Sequence, residues 1–145
     1  MNSTRWLSLC AFALSLVPPV TSLALADEPS LAEWTQHRVQ DGILKPLSDV
    51  EAHRFSRARP PPRERRVRVL QTTTTLDRNG HAFVPFAIDV RFGSSEWREN
   101  DIVGCAYPAG GDLYVKRGDA YRPASFLTGK NEEPVAGVCE AAPRS

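Results

Sequence analysis

The sequence predicts a mainly β, or α+β, protein: a small antiparallel barrel or sandwich preceded by a short helical segment. Three observations carry that expectation. "VPFAIDVRF" alternates strictly, with Val84, Phe86, Ile88, Val90 and Phe92 on one side and Pro85, Ala87, Asp89 and Arg91 on the other, the period of a half-buried strand. Asn79-Gly80 stands between that run and the alternating Val67 and Val69, and Asn-Gly is the strongest short hairpin signal. Beyond Asp101 the chain breaks into short apolar segments separated by Gly and Pro turns, the spacing of an all-β core.

The first 26 residues read as a secretory leader. Arg5 precedes an apolar run from Trp6 to Val17, and Ala24-Leu25-Ala26 offers a small-residue cleavage site before Asp27. The run is short and broken by Pro18 and Pro19, which disfavours a membrane span. Cys10 is preceded by Leu9, not by the small residues that lipid attachment requires. The expected location is therefore periplasmic or extracellular, after cleavage near Ala26.

Of the 18 basic residues only Arg5 lies in this leader, and all 17 acids come at or after Asp27. The remaining chain is close to neutral, so net charge names no partner. Cys105 and Cys139 are the two cysteines beyond the leader. An even count in an exported chain predicts a disulfide; without a C-x-x-C spacing or a neighbouring His, a metal pair or redox site has little support.

The expected organisation is a leader at 1–26, a helical arm with an Arg/Pro-rich linker at 27–64, and a β domain at 65–141. Ser30-Leu31-Ala32-Glu33 has the form of a capping box, opening a helix that Gly42 would stop. Ser48 to Glu51 repeats the pattern and would open a second helix ending near Ser56. Neither is strongly amphipathic, so both should depend on docking. Pro60-Pro61-Pro62 favours an extended spacer.

A two-residue turn at Asn79-Gly80 pairs Arg78 with His81, Val69 with Val90 and Val67 with Phe92, which puts the apolar sets on one face. Arg68 then faces Arg91, and Asp89 is the natural acid to separate them. Pro85 lacks an amide donor and predicts an edge or bulge there. Later strands are expected at 101–107, 113–116, 121–126 and 135–139. The expected core is Val67, Val69, Val84, Phe86, Ile88, Val90, Phe92, Ile102 or Val103, Leu113 or Tyr114, Phe126 and Val138.

Chemistry-bearing motifs are few. "HRFSRARPPPRERRVR" carries seven arginines and one acid. Arg57, Arg59, Arg63, Arg65, Arg66 and Arg68, on an extended chain, form a strip that can meet phosphates, sulfates or carboxylates bidentately; the bland alternative is a solvated linker. Nucleic acid has no support from a reading motif or from stacking aromatics. Arg117-Gly118-Asp119 matches an adhesion tripeptide, yet it falls where a hairpin needs a corner, and the corner explains it. His37, His53 and His81 show no metal-ligand spacing. Glu96 and Glu99 flank Trp97, which is expected to plug one end of the core, and Thr72 to Thr75 read as strand formers.

No cofactor motif is present. The expectation is an exported, non-catalytic binding or accessory protein meeting a polyanion or an acidic protein surface through the arginine strip. The alternative is an enzyme with a site near His81, Asp77 or Glu96.

Overall fold

The computed structural model describes residues 28–54 and 63–143. The leader, the triple proline, Arg57 and Arg59 lie outside them. The fold is a mainly antiparallel sheet with one 24-residue helix before it, an α+β arrangement.

The helix begins where the capping box places it. Ser30 accepts the amide of Glu33, and the Glu33 carboxylate accepts the amide of Ser30. It does not stop at Gly42. Helix α1, Leu31–Val39, runs through a π turn at Gln40–Leu44 into α2, Lys45–Arg54. Pro46 has no amide to offer the preceding turn, and the wider π turn closes instead through Lys45 N–H to the Gln40 carbonyl. The second capping box therefore lies inside a helix. Gly42 serves packing: a Cβ there would stand 2.5 Å from Leu113 Cδ1 and 2.6 Å from Arg38 Nη1.

Six strands follow: β1 Arg63–Val69, β2 Thr75–Leu76, β3 Ala82–Phe92, β4 Arg98–Ala106, β5 Leu113–Arg117 and β6 Ala120–Pro123. Their order is β1-β3-β4-β5-β6, with β2 also on β3. The sheet is open rather than closed into a barrel.

The β1–β3 pairing is antiparallel with the expected face parity, but its register differs by four residues. Val69 pairs with Phe86 and Val67 with Ile88, not with Val90 and Phe92. Two local causes account for this. The corner is a three-residue loop, closed by Asp77 N–H to the His81 carbonyl. In addition, Gln71 to Thr74 leave the ladder before β2 rejoins at Thr75↔Phe83. Thr72 to Thr74 are thus an exposed loop rather than a strand. The excursion begins where Leu70 N–H reaches the Pro85 carbonyl. In an antiparallel ladder a residue's N–H and C=O point to the same neighbour, so the donor missing from Pro85 faces the end of the β1 ladder. The expected edge or bulge at Pro85 is not found: β3 is an interior strand, and its bulge falls between Ile88 and Val90.

The even shift keeps the apolar residues together. Phe86, Ile88, Ala106, Leu113 and Val115 form one cluster with Val39, Ile43 and Leu44 of the helix. Helix and sheet therefore share a core, and β1 already begins at Arg63, inside the expected linker. Of the expected core, Val84, Phe86, Ile88, Val90, Leu113 and Val138 are buried; Val67, Val69, Phe92, Ile102, Val103, Tyr114 and Phe126 are half-buried.

The other face of the sheet is also covered, so Ala87 and Asp89 are buried as fully as Ile88. At one end the C-terminal tail packs Val138 and Cys139 against Phe83, Cys105, Tyr107, Tyr114 and Tyr121. Cys105 and Cys139 form a disulfide with Cα atoms 5.6 Å apart.

The tail is not the expected closing strand. Residues 136–139 are turns, with φ of +79° at Gly137 and +60° at Cys139, a sign that strands do not adopt. The expected strand at 121–126 is also shorter: β6 ends at Pro123, and a 3₁₀ turn covers Ala124–Thr128.

Candidate functional site

The described arginines of the expected strip do not form one strip. A β-strand sends successive side chains to opposite faces, and β1 reads R-E-R-R-V-R-V. Arg63 and Arg65 therefore share the helix-side face with Val67. Arg63 Nη1 lies 2.8 Å from Glu51 Oε1, and Arg65 donates to both oxygens of that carboxylate. The Arg65 side chain is 9% exposed. Hydrogen bonding from Arg65 outweighs burial and holds the Glu51 carboxyl below its usual range. The Arg63 guanidinium lies over Phe92, 4.9 Å from the ring centre.

Arg66 and Arg68 project to the outer face and converge on Asp89. Each Nε is 2.7 Å from Asp89 Oδ2, and Arg68 Nη2 reaches Oδ1 at 3.1 Å. The amide of Asn100 adds a fourth donor at 3.0 Å. The Asp89 side chain is fully buried. Burial alone would raise its pKa; the hydrogen bonds from Arg68, Arg66 and Asn100 reverse that and lower it to about 2. Asp89 is thus the acid beside Arg68. The expected Arg68–Arg91 opposition does not occur, because Arg68 pairs with Ala87 and Arg91 with Glu64. Arg91 Nη2 lies 2.7 Å from Glu64 Oε2.

Trp97 does not plug the core. It is half-buried between two guanidinium groups on this outer face, Arg66 at 4.4 Å and Arg91 at 4.7 Å from its ring. Sequence reasoning missed this stack because Trp97 enters it from the loop between β3 and β4. The one available signal was the neighbouring charge pattern in "EWREN" beside an arginine-bearing strand.

His81, Asp77 and Glu96 are not brought together. His81 and Asp77 flank the start of β3, while Glu96 follows its end; eleven extended residues span roughly 30 Å. Asp77 is 1% exposed. Its Oδ1 accepts the amides of Asn79 and His81, each at 2.8 Å, and its Oδ2 accepts the Tyr107 hydroxyl at 2.6 Å. Those bonds make Asp77 the anchor of the hairpin corner. Burial pushes its carboxyl up, but the bonds from Tyr107, His81 and Asn79 prevail and leave it lowered. His81 is exposed, as are His37 and His53 on the helix. Arg117 and Ala120 pair across a two-residue turn, Gly118-Asp119, with φ of +62° at Gly118. The tripeptide is a hairpin corner by geometry.

No protein-family model, curated protein or solved structure matches this chain. Among the described residues no helix is long and apolar enough to cross a membrane.

Proposed function

We propose that this chain is an exported, non-catalytic binding or accessory protein, released to the periplasm or the exterior by cleavage near Ala26. It contacts a polyanion or an acidic protein surface through the guanidinium groups at the β1 end of the sheet. The observation that carries the reading is the Arg66–Trp97–Arg91 stack. Trp97 holds two planar cations against its ring, and their side chains remain 42% and 35% exposed. Asp89 engages only Nε of Arg66; its Nη2 lies 4.0 Å from Glu99 Oε1, and among the described residues no hydrogen bond occupies either terminal nitrogen. A guanidinium held in place with free donors loses little freedom on meeting an oxyanion. Arg63 and Arg65 support this surface from behind rather than forming it.

Retention of the oxidised protein on a sulfated matrix tests the reading. Screening shortens the reach of exposed charges as salt rises, so retention should fall steeply between low and high ionic strength. Trp97→Ala and Arg91→Ser should each weaken it while leaving the thermal midpoint nearly unchanged. Salt-independent retention, or equal retention of both variants, would exclude this surface.

A further inference from the structure

We infer that the β6 edge carries a separate binding cleft for a tetrahedral oxyanion, a phosphate or sulfate group, formed by Arg117, Arg122 and Lys130. The cleft has a volume of about 490 Å³, with Phe126, Asn131 and Glu132 completing its walls.

The chain order explains why these cations meet. The β5–β6 hairpin sets Arg117 at the end of one strand and Arg122 on the next, opposite Val115. The 3₁₀ turn at Ala124–Thr128 then reverses the chain and delivers Lys130 and Asn131 to the same opening. Two guanidinium groups and one ammonium line it.

The charges here are unmatched, in contrast to β1. Arg63, Arg65, Arg66 and Arg68 each form an ion pair, whereas among the described residues Arg117, Arg122 and Lys130 form none. Glu132 is the one carboxylate in the lining, and its Oε1 accepts the Ser125 hydroxyl at 2.7 Å. Arg122 uses Nη1 to hold the Glu132 carbonyl at 2.7 Å, while its Nε is buried without a partner. Arg117 rests over Phe126, 5.6 Å from the ring centre, which orients its fork without neutralising it.

Three cationic donors approaching from separate elements suit an anion whose oxygens point in several directions. Guanidinium binds such oxygens in pairs and ammonium binds them as a point charge. A cleft of this size also falls within the range that admits small organic molecules. The group can therefore arrive as the free ion or as a phosphate or sulfate ester.

The inference does not rest on the Trp97 surface, and one experiment separates the two. The isotopically labelled, oxidised protein is titrated with sodium phosphate, sodium sulfate and phenyl phosphate at constant ionic strength, following amide shifts. Saturable shifts are expected for Ser125, Gly129, Lys130 and Asn131. Lys130→Ala, an exposed change that removes no packing, and Arg122→Gln should each weaken binding about tenfold, the loss of one charge-assisted hydrogen bond. Arg91→Ser should leave it unchanged. Tighter binding of phenyl phosphate than of inorganic phosphate identifies an ester ligand; equal binding identifies the free ion. Absence of saturable shifts with all three probes, or unaltered binding in the Lys130→Ala variant, overturns the site.

Discussion

The Tyr107 hydroxyl links two distant parts of the chain: it donates to the Asp77 carboxylate at 2.6 Å and accepts the Cys139 amide at 2.9 Å. Asp77 organises the hairpin corner, and Cys139 anchors the tail. Burial and the adjacent Asp77 push the tyrosine pKa up, so the phenol stays protonated and keeps donating. Tyr107→Phe removes both bonds and strands a buried carboxylate oxygen. The expected cost is about 1–3 kcal/mol, read as a lower midpoint in urea unfolding. An unchanged midpoint would show that water replaces the hydroxyl.

Asp89 sets an acid limit. Its folded pKa, about 2, lies below the ordinary carboxylate value near 4. The stabilisation is therefore fully present above about pH 4 and is lost as pH falls through the folded pKa. Wild-type protein should lose stability steadily between pH 4 and pH 2. Asp89→Asn should start lower at neutral pH, by about 2 kcal/mol because Arg66 and Arg68 remain partly solvated, and show a shallower acid slope. Parallel pH profiles for the two proteins would contradict this assignment.

The disulfide closes a loop with a sequence separation of 34, worth about 3–4 kcal/mol in the chain-entropy account. Reduction or Cys139→Ser should lower the unfolding free energy by that order. The near-ultraviolet signal of Tyr107 and Tyr114, whose rings meet edge to face at 5.5 Å, should weaken, while the helix signal persists. Loss of both signals together would mean that the tail is required for the whole fold.

Two glycines should respond against the usual rule. Replacing a helical Gly by Ala normally stabilises by about 0.5–1 kcal/mol. Gly42→Ala should instead destabilise, by about 1–3 kcal/mol, because its Cβ would crowd Leu113 and Arg38. Gly104→Ala should be worse, since its Cβ would meet the Tyr114 carbonyl of the neighbouring strand, where backbone must move. Thermal melts of the pair give the order directly.

Legibility in the sequence followed the range of the interaction. The capping box at Ser30, the alternation of β3 and the corner at Gly118 are local patterns, and each appears where local chemistry places it. The register of β1 was not legible, because it depends on how many residues leave the ladder between Leu70 and Thr75, and composition does not count them. Gly42 misled because a stop signal and a close-packing contact look identical without Leu113 beside it. The arginines were visible as a group, but their partners were not: Glu51 is on the helix, Asp89 is hidden under the outer face, and Trp97 comes from a loop. The Arg117–Arg122–Lys130 cleft was missed for the same reason, since a 3₁₀ turn rather than a repeat gathers it.

The alternation in β1 has an effect beyond charge balance. Sliding the strand by one residue would drive Glu64, Arg66 and Arg68 into the apolar seam beneath the helix and turn Arg63, Arg65, Val67 and Val69 to the face of Asp89. The arginines thus act as an alignment key: the strand can lose one of them and keep its place, but a single inserted or deleted residue would turn the key the wrong way.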